Sequence, residues 1–310
     1  MNNNTSRMKG ALMKAYCDLL QQLWADARSS SGNYVSPDNF KNQIQKFAPR
    51  FVGYQQQDSQ EFLRYLLQGL HEDVNRVRTK PTPLPPMDDT LPDSQKAMEC
   101  WKRYLRTDDS KIVDVFVGQL KSELICTHCG HTSTTFDPFW DLSLPIPNDR
   151  RSSANINLED CLTAFTREEV LDGDEMPKCE KCCVHRRCTK KFSVYKFPKI
   201  LVLHLKRFSG ERFRSRLSTL VNYPIANLDL GRFGASGCGH SLYNLYAVSN
   251  HTGTPTMGHY TAYVRHAFSG QWQLFDDSRV TPCRNVVTSE AYVLFYELAT
   301  DKTVQESSRL

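Results

Sequence analysis

Two pairs of cysteines in the sequence have the spacing of a metal site. Cys126 and Cys129 form one Cys-x-x-Cys pair, and Cys179 and Cys182 form the other. At this spacing, two thiolates can bind one tetrahedral Zn²⁺ from a tight turn. Four thiolates leave no coordination position for water, so the pattern predicts one structural zinc ion per chain.

Other arrangements of these residues remain open. His128 lies inside the first pair, and Cys183 and Cys188 follow the second, so each could replace one of the four ligands. None of the three keeps the two-residue spacing, and the pattern therefore favours the four cysteines. Without a metal, the four would be ordinary cysteines in loops. Because residues 130–178 separate the pairs, a shared site requires two turns that meet at the tip of an extended strand structure.

A histidine and a carboxylate occupy the ends of two predicted strands. His259 directly precedes the strand at residues 260–264, and Asp276 directly follows the strand at residues 271–275. A turn near residues 266–269 would fold these strands into an antiparallel hairpin. The start of the first strand would then lie opposite the end of the second, which places His259 beside Asp276.

This pairing would support acid–base chemistry. A carboxylate that binds one imidazole nitrogen fixes the tautomer of the ring and leaves the other nitrogen available as a base. His259 and Asp276 would then form two thirds of a Cys-His-Asp catalytic group. The alternative is a loop histidine and an Asp-Asp-Ser turn without a catalytic role. We expect Asn250 or His251 on a loop next to the pair.

The sequence offers no evident cysteine nucleophile for this pair. An activated cysteine sits at a helix N-terminus, where the helix dipole and a nearby histidine lower the pKa of its thiol. Cys17 and Cys100 lie inside predicted helices, and Cys161 is followed at once by a core-like segment. Cys238 and Cys283 lie in loops before and after the hairpin. We therefore expect all five to be core or bystander thiols.

Helices are predicted in the first third of the chain. Apolar residues at helical spacing indicate a helix over residues 11–25, and Ser36 followed by proline indicates the start of another. Asp58 has the position of an N-cap, with Glu61 three residues later as in a capping box. A short helix is predicted near residues 98–105.

The rest of the sequence predicts strands. Residues 80–93 contain five prolines and indicate an exposed loop. After residue 112, alternating β-branched and aromatic residues extend to Glu297. The clearest predicted strands are residues 200–204, 242–248, 260–264, 271–275 and 291–296.

The composition is that of a globular protein, with 310 residues of which 40% are hydrophobic and 24% charged. No apolar run is long enough to cross a bilayer, and the polar N-terminus does not resemble a secretory signal. A net charge of +5 at this length does not by itself indicate nucleic-acid binding. Eleven cysteines without a secretory signal favour a reducing compartment, so we expect the cytosol or the nucleus.

Longer motifs extend over about residues 10–298. They include a glutamine-rich segment before a helix, a strand-forming segment and a histidine-containing segment. They lie at Gln56–Phe62, Phe197–Phe208, Tyr243–His251, Gly258–Tyr263, Trp272–Ser278 and Ala291–Glu297. Together they resemble the corresponding boxes of the ubiquitin-specific protease family, which are deubiquitinating cysteine peptidases.

The resemblance implies an α+β fold of the papain-like ubiquitin-specific protease type over residues 1–299. A helical thumb, truncated at its N-terminus, would occupy about residues 10–110. Zinc-tipped fingers would use residues near 119–140 and 175–195, and most of the remainder would form the palm. Residues 300–310 would be a polar tail.

The resemblance also implies a function, the hydrolysis of peptide and isopeptide bonds at the C-terminus of ubiquitin. Ubiquitin and ubiquitinated proteins would be the partners, with His259 as the general base and Asp276 as the orienting carboxylate. Asp58, assisted by Glu61, would meet the basic tail of ubiquitin, and the alternative for both is helix capping alone. Met257 stands where the family has a glycine and would narrow the channel for that tail.

The sequence departs from the family at its N-terminus. Relatives carry the nucleophile in a Gly-Asn-Thr-Cys-type box before the helix that matches residues 11–25, and residues 1–10 contain no such box. We therefore expect the chain as given to lack the nucleophile and to be inactive. Two alternatives are a truncated peptidase sequence and a natural short form that binds ubiquitin or a partner without cleaving.

A third alternative is a zinc-fastened nucleic-acid binder that uses Arg186, Arg187, Lys190 and Lys191. This basic cluster is short and lacks the interleaved aromatic residues that stack on bases. Nucleic acid is therefore the least favoured ligand, and we expect no membrane partner.

Overall fold

The structure is a computed structural model that describes residues 5–24, 35–88, 90–147, 156–208, 216–235, 241–254 and 257–299. The predicted tail at residues 300–310 lies outside these ranges, and so does Cys238. None of the described helices is long and apolar enough to cross a membrane.

Most of the described helices lie in the first part of the chain. They are α1 (Ala11–Trp24), α2 (Asp38–Phe47), α3 (Ser59–Val74), α4 (Asp93–Leu105), α5 (Lys111–Phe116) and α6 (Leu158–Thr166). Single 3₁₀ turns lie at Pro49–Phe51, Gly173–Glu175 and Gly231–Phe233.

Two helix starts differ from the prediction. Helix α4 begins at Asp93 and not near residue 98, because Pro92 stands at the N-cap and the carboxylate in the first turn suits the helix dipole. Helix α2 has Pro37 at its N-cap position without a side-chain cap. Ser36, at the predicted helix start, does not cap the helix, and its hydroxyl donates to the Asp38 carboxylate at 2.6 Å.

The helical region has its own core. The apolar faces of α1, α2 and α3 bury Leu12, Ile44, Phe47, Ala48, Phe51 and Leu70 against one another. Gly69 lets α1 approach α3 closely, since a Cβ at this position would lie 2.5 Å from Leu12 Cδ2. The fully buried carboxylate of Asp73 accepts backbone N–H groups of Gly10 and Met13, both at 2.9 Å. These contacts fix the start of α1 on α3.

The strands form two larger sheets and one small one. They are β1 (Gly118–Cys126), β2 (Thr132–Phe139), β3 (Leu142–Pro145), β4 (Ile156–Asn157), β5 (Glu169–Leu171), β6 (Cys188–Lys196), β7 (Ile200–Lys206), β8 (Val221–Asn222), β9 (Leu228–Asp229), β10 (Leu242–Gly253), β11 (Gly258–Arg265), β12 (Trp272–Asp276), β13 (Arg279–Pro282) and β14 (Ala291–Leu298). The four-stranded sheet has the order β2-β1-β6-β5, and all its pairs are antiparallel.

The eight-stranded sheet has the order β13-β12-β11-β10-β14-β7-β3, with β9 paired to β10. Its pairs are antiparallel except for β3 and β7. One face packs against α6 and bears the main core, which includes Leu144, Leu162, Leu203, Leu245 and Leu294. The fully buried Arg207, just after β7, donates to backbone carbonyls of Ala291, Leu217 and Thr219 and so ties a connecting segment to this sheet.

The predicted α+β fold class is confirmed, with helices first and strands after them. Several strands are longer than predicted, and β10 exceeds its prediction most, because it continues to Gly253 and pairs with both β11 and β14. The expectation that Asn250 or His251 lies on a loop is therefore wrong. Both are buried strand residues, and the ring of His251 packs 4.5 Å from that of Tyr260.

Candidate active site and metal centre

His259 and Asp276 lie at the open end of the hairpin formed by β11 and β12. The register pairs Ala262 with Phe275, so position 276 is opposite position 261. His259 lies one diagonal step further along the same face, which a long side chain can span. Its Nε2 is 2.7 Å from Oδ1 of Asp276. The structure thus brings these two predicted site residues into direct contact.

The pair is open to solvent. The side chain of His259 is 48% exposed and that of Asp276 is 45% exposed. The hydrogen bond to Asp276 raises the pKa of His259, and the charge of Asp277 acts in the same direction. Because the carboxylate occupies Nε2, Nδ1 is the ring nitrogen that can take up a proton from another group. The pair can act as a general base.

Gln56 holds the backbone directly before His259 from across a cleft. Its Oε1 accepts the N–H of Gly258 at 2.5 Å, and its Nε2 donates to the carbonyl of the same residue. A Cβ at position 258 would lie 2.4 Å from Nε2 of His251, so only glycine fits against β10 there. These contacts fix the main chain that carries His259.

A cleft of about 480 Å³ opens beside this contact. It is lined by Tyr54, Gln55, Gln56, Met257 and Gly258. Tyr54 and Met257 are strongly exposed, at 100% and 76%. Met257, which stands where the resemblance implies a glycine, therefore forms part of the cleft wall two residues before His259.

Asp58 caps α3 and also contacts the eight-stranded sheet. Its Oδ1 accepts the backbone N–H groups of Gln60 and Glu61 at 2.8 and 3.1 Å, which confirms the predicted N-cap. Its Oδ2 accepts the hydroxyl of Tyr292 on β14 at 2.5 Å. Glu61 forms an ion pair with Arg50. Asp58 therefore joins the start of α3 to the sheet that carries His259.

Among the residues that the structure describes, the group of potential ligands around His259 and Asp276 adds only Asp277 and contains no cysteine. The N–H of Cys283 bonds to the carbonyl of Trp272, at the opposite end of β12 from Asp276. This separation is about 13 Å along the strand.

The other described candidates for the nucleophile are also unsuited. Cys161 is fully buried in α6, and burial raises the pKa of its thiol to about 11. Cys17 and Cys100 lie within α1 and α4, as predicted, and burial raises the pKa of Cys100. None of these cysteines combines a helix N-terminus with a position beside His259.

The four predicted metal ligands converge at the end of the four-stranded sheet. The Sγ atoms of Cys126, Cys129, Cys179 and Cys182 all lie within 4.8 Å of one another. Sγ of Cys129 is 3.7 Å from Sγ of Cys179. A tetrahedron with metal–sulfur bonds of ~2.3 Å has an edge of about 3.8 Å. The geometry therefore fits a metal ion.

The electrostatics of the cluster also favour a cation. Backbone N–H groups, that of Cys129 first, lower the pKa of Cys126 to about 6. In contrast, the hydrogen bond with Cys129, followed by burial, raises the pKa of Cys182 to about 12. The protein groups alone stabilise one thiolate at the expense of another, whereas a bound cation would stabilise all four.

The alternative ligands fall outside this group of four. Sγ of the buried Cys188 donates to the carbonyl of Arg186 at 3.4 Å. Sγ of the exposed Cys183 donates to the carbonyl of Glu180 at 3.4 Å. The structure thus favours the two Cys-x-x-Cys pairs over the substitutes.

Two residues next to the candidate site were not identified from the sequence. Gln56 belongs to the glutamine-rich motif, which indicated the region but not the contact with Gly258. Tyr292 was predicted only as a strand residue, although its hydroxyl contacts Asp58. Both contacts join residues more than 200 positions apart, and only the fold brings them together.

The chain matches the family model for ubiquitin carboxyl-terminal hydrolase over residues 1–296. It is 56% identical over 299 residues to ubiquitin carboxyl-terminal hydrolase 2 of Rattus norvegicus, covering 96% of this chain and 48% of that protein. It is also 56% identical over 296 residues to the protein of that name from Gallus gallus, covering 94% of this chain and 82% of that protein. The chain thus spans about half the length of the rat relative.

The structure is similar to a solved one described as the SAGA DUB module Ubp8/Sgf11/Sus1/Sgf73 bound to monoubiquitin. The TM-score is 0.72 at 27% identity, covering 96% of this chain and 61% of that chain. The segments Phe136–Pro147 and Val170–Glu175 point to hydrolase 2 as a relative, and this similarity is confirmed. The ubiquitin-specific protease type of α+β fold is confirmed as well. The chain belongs to the ubiquitin carboxyl-terminal hydrolase family.

Proposed function

We propose that this chain binds ubiquitin and carries the base half of a thiol peptidase site that acts on bonds to the C-terminus of ubiquitin. The observation that carries the proposal is the exposed His259, with Nε2 on Asp276 and Nδ1 able to accept a proton, beside an open cleft. Family membership and the similarity to a protein bound to monoubiquitin support it.

The reaction would proceed in two steps. Nδ1 of His259 would take the proton of a cysteine thiol, and the thiolate would attack the carbonyl carbon of the ubiquitin–lysine amide. The imidazolium would then protonate the departing amine, which leaves a thioester, and Asp276 would stabilise the positive ring throughout. In the second step, water deprotonated by His259 would hydrolyse the thioester and release ubiquitin and the thiol.

The nucleophile in this proposal belongs to a Gly-Asn-Thr-Cys-type segment that these 310 residues do not contain. The chain as given would then bind ubiquitin without cleaving it. Two forms of the protein are compatible with this: a peptidase with an additional N-terminal segment, and a short form that only binds ubiquitin or another partner. Genomic sequence upstream of Met1 that encodes the box in frame would distinguish the first from the second.

Ubiquitin would lie against both larger sheets, within a domain that spans residues 1–299. Helices α1 to α5 would form the thumb, the four-stranded sheet the fingers and the eight-stranded sheet the palm. The basic tail of ubiquitin would pass between α3 and β11, where Asp58 lies at the helix start and Glu61 follows. Because Asp58 also caps α3 and binds Tyr292, Glu61→Gln is the cleaner test of tail binding.

Binding can be measured directly by calorimetric titration of the 310-residue chain with ubiquitin. We expect saturable binding that weakens for ubiquitin lacking its C-terminal tail and for the Glu61→Gln variant. The matched control is Glu72→Gln, a helix residue away from the cleft. A folded chain that binds neither form of ubiquitin would refute the proposal.

We also propose that the four-cysteine cluster holds Zn²⁺ with a structural role, and that the protein acts in the cytosol or nucleus, where thiols stay reduced. Metal analysis of the purified chain should find one zinc ion per molecule. Cys179→Ser should remove it and loosen the end of the four-stranded sheet, whereas the control Cys183→Ser should retain it. Purified, folded protein without zinc would contradict the assignment.

A further inference from the structure

A proline-rich segment between α3 and α4 has the pattern of a peptide ligand. Residues 80–86 have the sequence Lys-Pro-Thr-Pro-Leu-Pro-Pro. We propose that this segment is a docking site for a domain of the SH3 type, which presents an aromatic-lined groove with an acidic pocket at one end. The proposal does not depend on the function of the His259 site.

The backbone of this segment is restricted by its sequence alone. Each residue from 80 to 86 is either a proline or directly precedes one. Proline fixes its own φ near about −65°, and it restricts the preceding residue to extended or polyproline II conformations. Residues 81–88 accordingly belong to neither a helix nor a strand. The segment therefore favours polyproline II, the conformation that aromatic-lined grooves recognise.

The spacing of the side chains gives the segment a defined edge. A polyproline II helix has three residues per turn and a rise of about 3.1 Å per residue. Lys80, Pro83 and Pro86 therefore lie on one edge, with successive residues about 9 Å apart. All three are exposed. This edge presents a positive charge one turn before a Pro-x-x-Pro pair, which complements a groove with an acidic pocket.

Helix α4 holds the segment by its main chain. Arg103 donates to the carbonyl of Pro85 at 2.7 Å, and Arg106 donates to the carbonyl of Thr82 at 3.1 Å. Because these bonds use carbonyl groups, the side chains from residue 82 to residue 86 remain exposed. The segment is thus presented in a largely preformed state, which lowers the ordering cost of binding.

The residue types distinguish among the domains that bind proline-rich peptides. Some of these domains require a tyrosine after two prolines. The segment lacks this tyrosine, because Met87 and Asp88 follow Pro86. Residues 78–88 contain no aromatic side chain at all. The basic residue ahead of the prolines instead fits the acidic pocket of an SH3-type groove. The observations therefore favour this class of partner.

The test is a calorimetric titration of the folded 310-residue chain with a purified SH3 domain that selects a basic residue three positions before Pro-x-x-Pro. We expect saturable binding of one domain per chain. The double variant Pro83→Ala/Pro86→Ala should lose detectable binding, and Lys80→Glu should weaken it roughly tenfold or more. Circular dichroism of each variant should match that of the unaltered chain, since the changes lie on an exposed segment.

The matched control is Pro81→Ala, the same chemical change in the same segment but off the proposed edge. It should retain most of the affinity. Absence of binding by the unaltered folded chain would overturn the proposal. Binding that survives the double variant, or that Pro81→Ala weakens as much as the double variant does, would overturn it as well.

Discussion

Two histidine–carboxylate pairs in this molecule have similar hydrogen bonds and opposite surroundings. Nε2 of His259 lies 2.7 Å from Asp276, and the ring is about half exposed. Nε2 of His71 lies 3.0 Å from Asp108, and its Nδ1 lies 2.8 Å from Oγ of Ser110. His71 is only 1% exposed.

The group formed by Ser110, His71 and Asp108 contains the three residue types of a serine hydrolase triad, yet its contacts are structural. The oxygen of Ser110 accepts the N–H of Val113 as the N-cap of α5, and the residue is fully buried. The His71 ring also packs edge-on against Trp140, 5.8 Å between centroids. Both ring nitrogens are occupied and no substrate can reach them, so the group ties α3 to α5. Accessibility of the second nitrogen, and not the residue types, distinguishes the two sites.

The largest expected difference between the pairs is catalytic. In a chain extended by a Gly-Asn-Thr-Cys-type segment, His259→Ala should slow cleavage of a ubiquitin conjugate by on the order of 10³-fold or more, because the thiol loses its base. His71→Gln serves as the control and should keep most of the rate at a temperature where it is folded. Initial rates at saturating substrate measure both. Comparable losses of cleavage rate for the two variants would contradict a catalytic role that is specific to His259.

The second difference concerns stability, for which we expect the larger effect at the buried His71 pair. His71→Ala should lower the free energy of unfolding by about 3 kcal/mol, because Ser110 and Asp108 lose buried partners and a cavity replaces the ring. His259→Ala should shift the urea midpoint of the 310-residue chain only slightly, since the ring is exposed and its hydrogen bond to Asp276 is screened by solvent. Urea unfolding followed by circular dichroism gives both values. A strongly destabilised His259→Ala would assign a structural role to that pair too.

The smallest expected effect is the pH dependence of stability. The hydrogen bond from His71 lowers the pKa of Asp108 below 3.8. The stabilisation of the folded chain by this bond is therefore fully present above pH 3.8 and is lost as the pH falls through the lowered pKa. The hydrogen bond to Asp276 raises the pKa of His259 above 6.5. The stabilisation by this exposed pair is small because solvent screens it; it is present below pH 6.5 and is lost as the pH rises through the raised pKa.

The free energy of unfolding, measured across this pH range, therefore distinguishes the two pairs. The destabilisation by Asp108→Asn should shrink on acidification, and that by His259→Gln should shrink towards alkaline pH. As a direct check, NMR titration of the His259 ring should show a lower pKa in Asp276→Asn than in the unaltered chain. An unchanged ring pKa would mean that the carboxylate does not interact with the imidazole in solution.

Contacts set by local sequence could be predicted. The register of the β11–β12 hairpin follows from strand alternation and a short turn, which brings His259 to Asp276. The N-cap at Asp58 depends only on the next three residues. The two Cys-x-x-Cys pairs carry their own spacing, so the convergence of these four cysteines at the end of a sheet could be predicted despite the 130–178 separation.

Contacts set by the packing of distant elements could not be predicted. Gln56 and Gly258 meet because α3 and the eight-stranded sheet face each other across the cleft, and no periodicity in either segment encodes that. His71 and Ser110 are 39 residues apart, on helices joined by the proline-rich segment and α4. The extension of β10 through His251 was missed because the segment contains Asn250 and ends at Gly253, both weak strand formers, and pairing on both sides overrides that preference.

The role of His259 and Asp276 as the base half of a thiol peptidase site can be tested with a ubiquitin probe that has a thiol-reactive C-terminus, followed by mass spectrometry. We expect the 310-residue chain to bind ubiquitin but stay unlabelled, and the chain with a Gly-Asn-Thr-Cys-type segment to be labelled at the added cysteine and to cleave conjugates. Labelling of the 310-residue chain itself would show that one of its own cysteines is the nucleophile, against our expectation, and the modified residue, with Cys17 the first to examine, would identify it. An extended chain that binds ubiquitin but is neither labelled nor active would contradict the role assigned to His259 and Asp276.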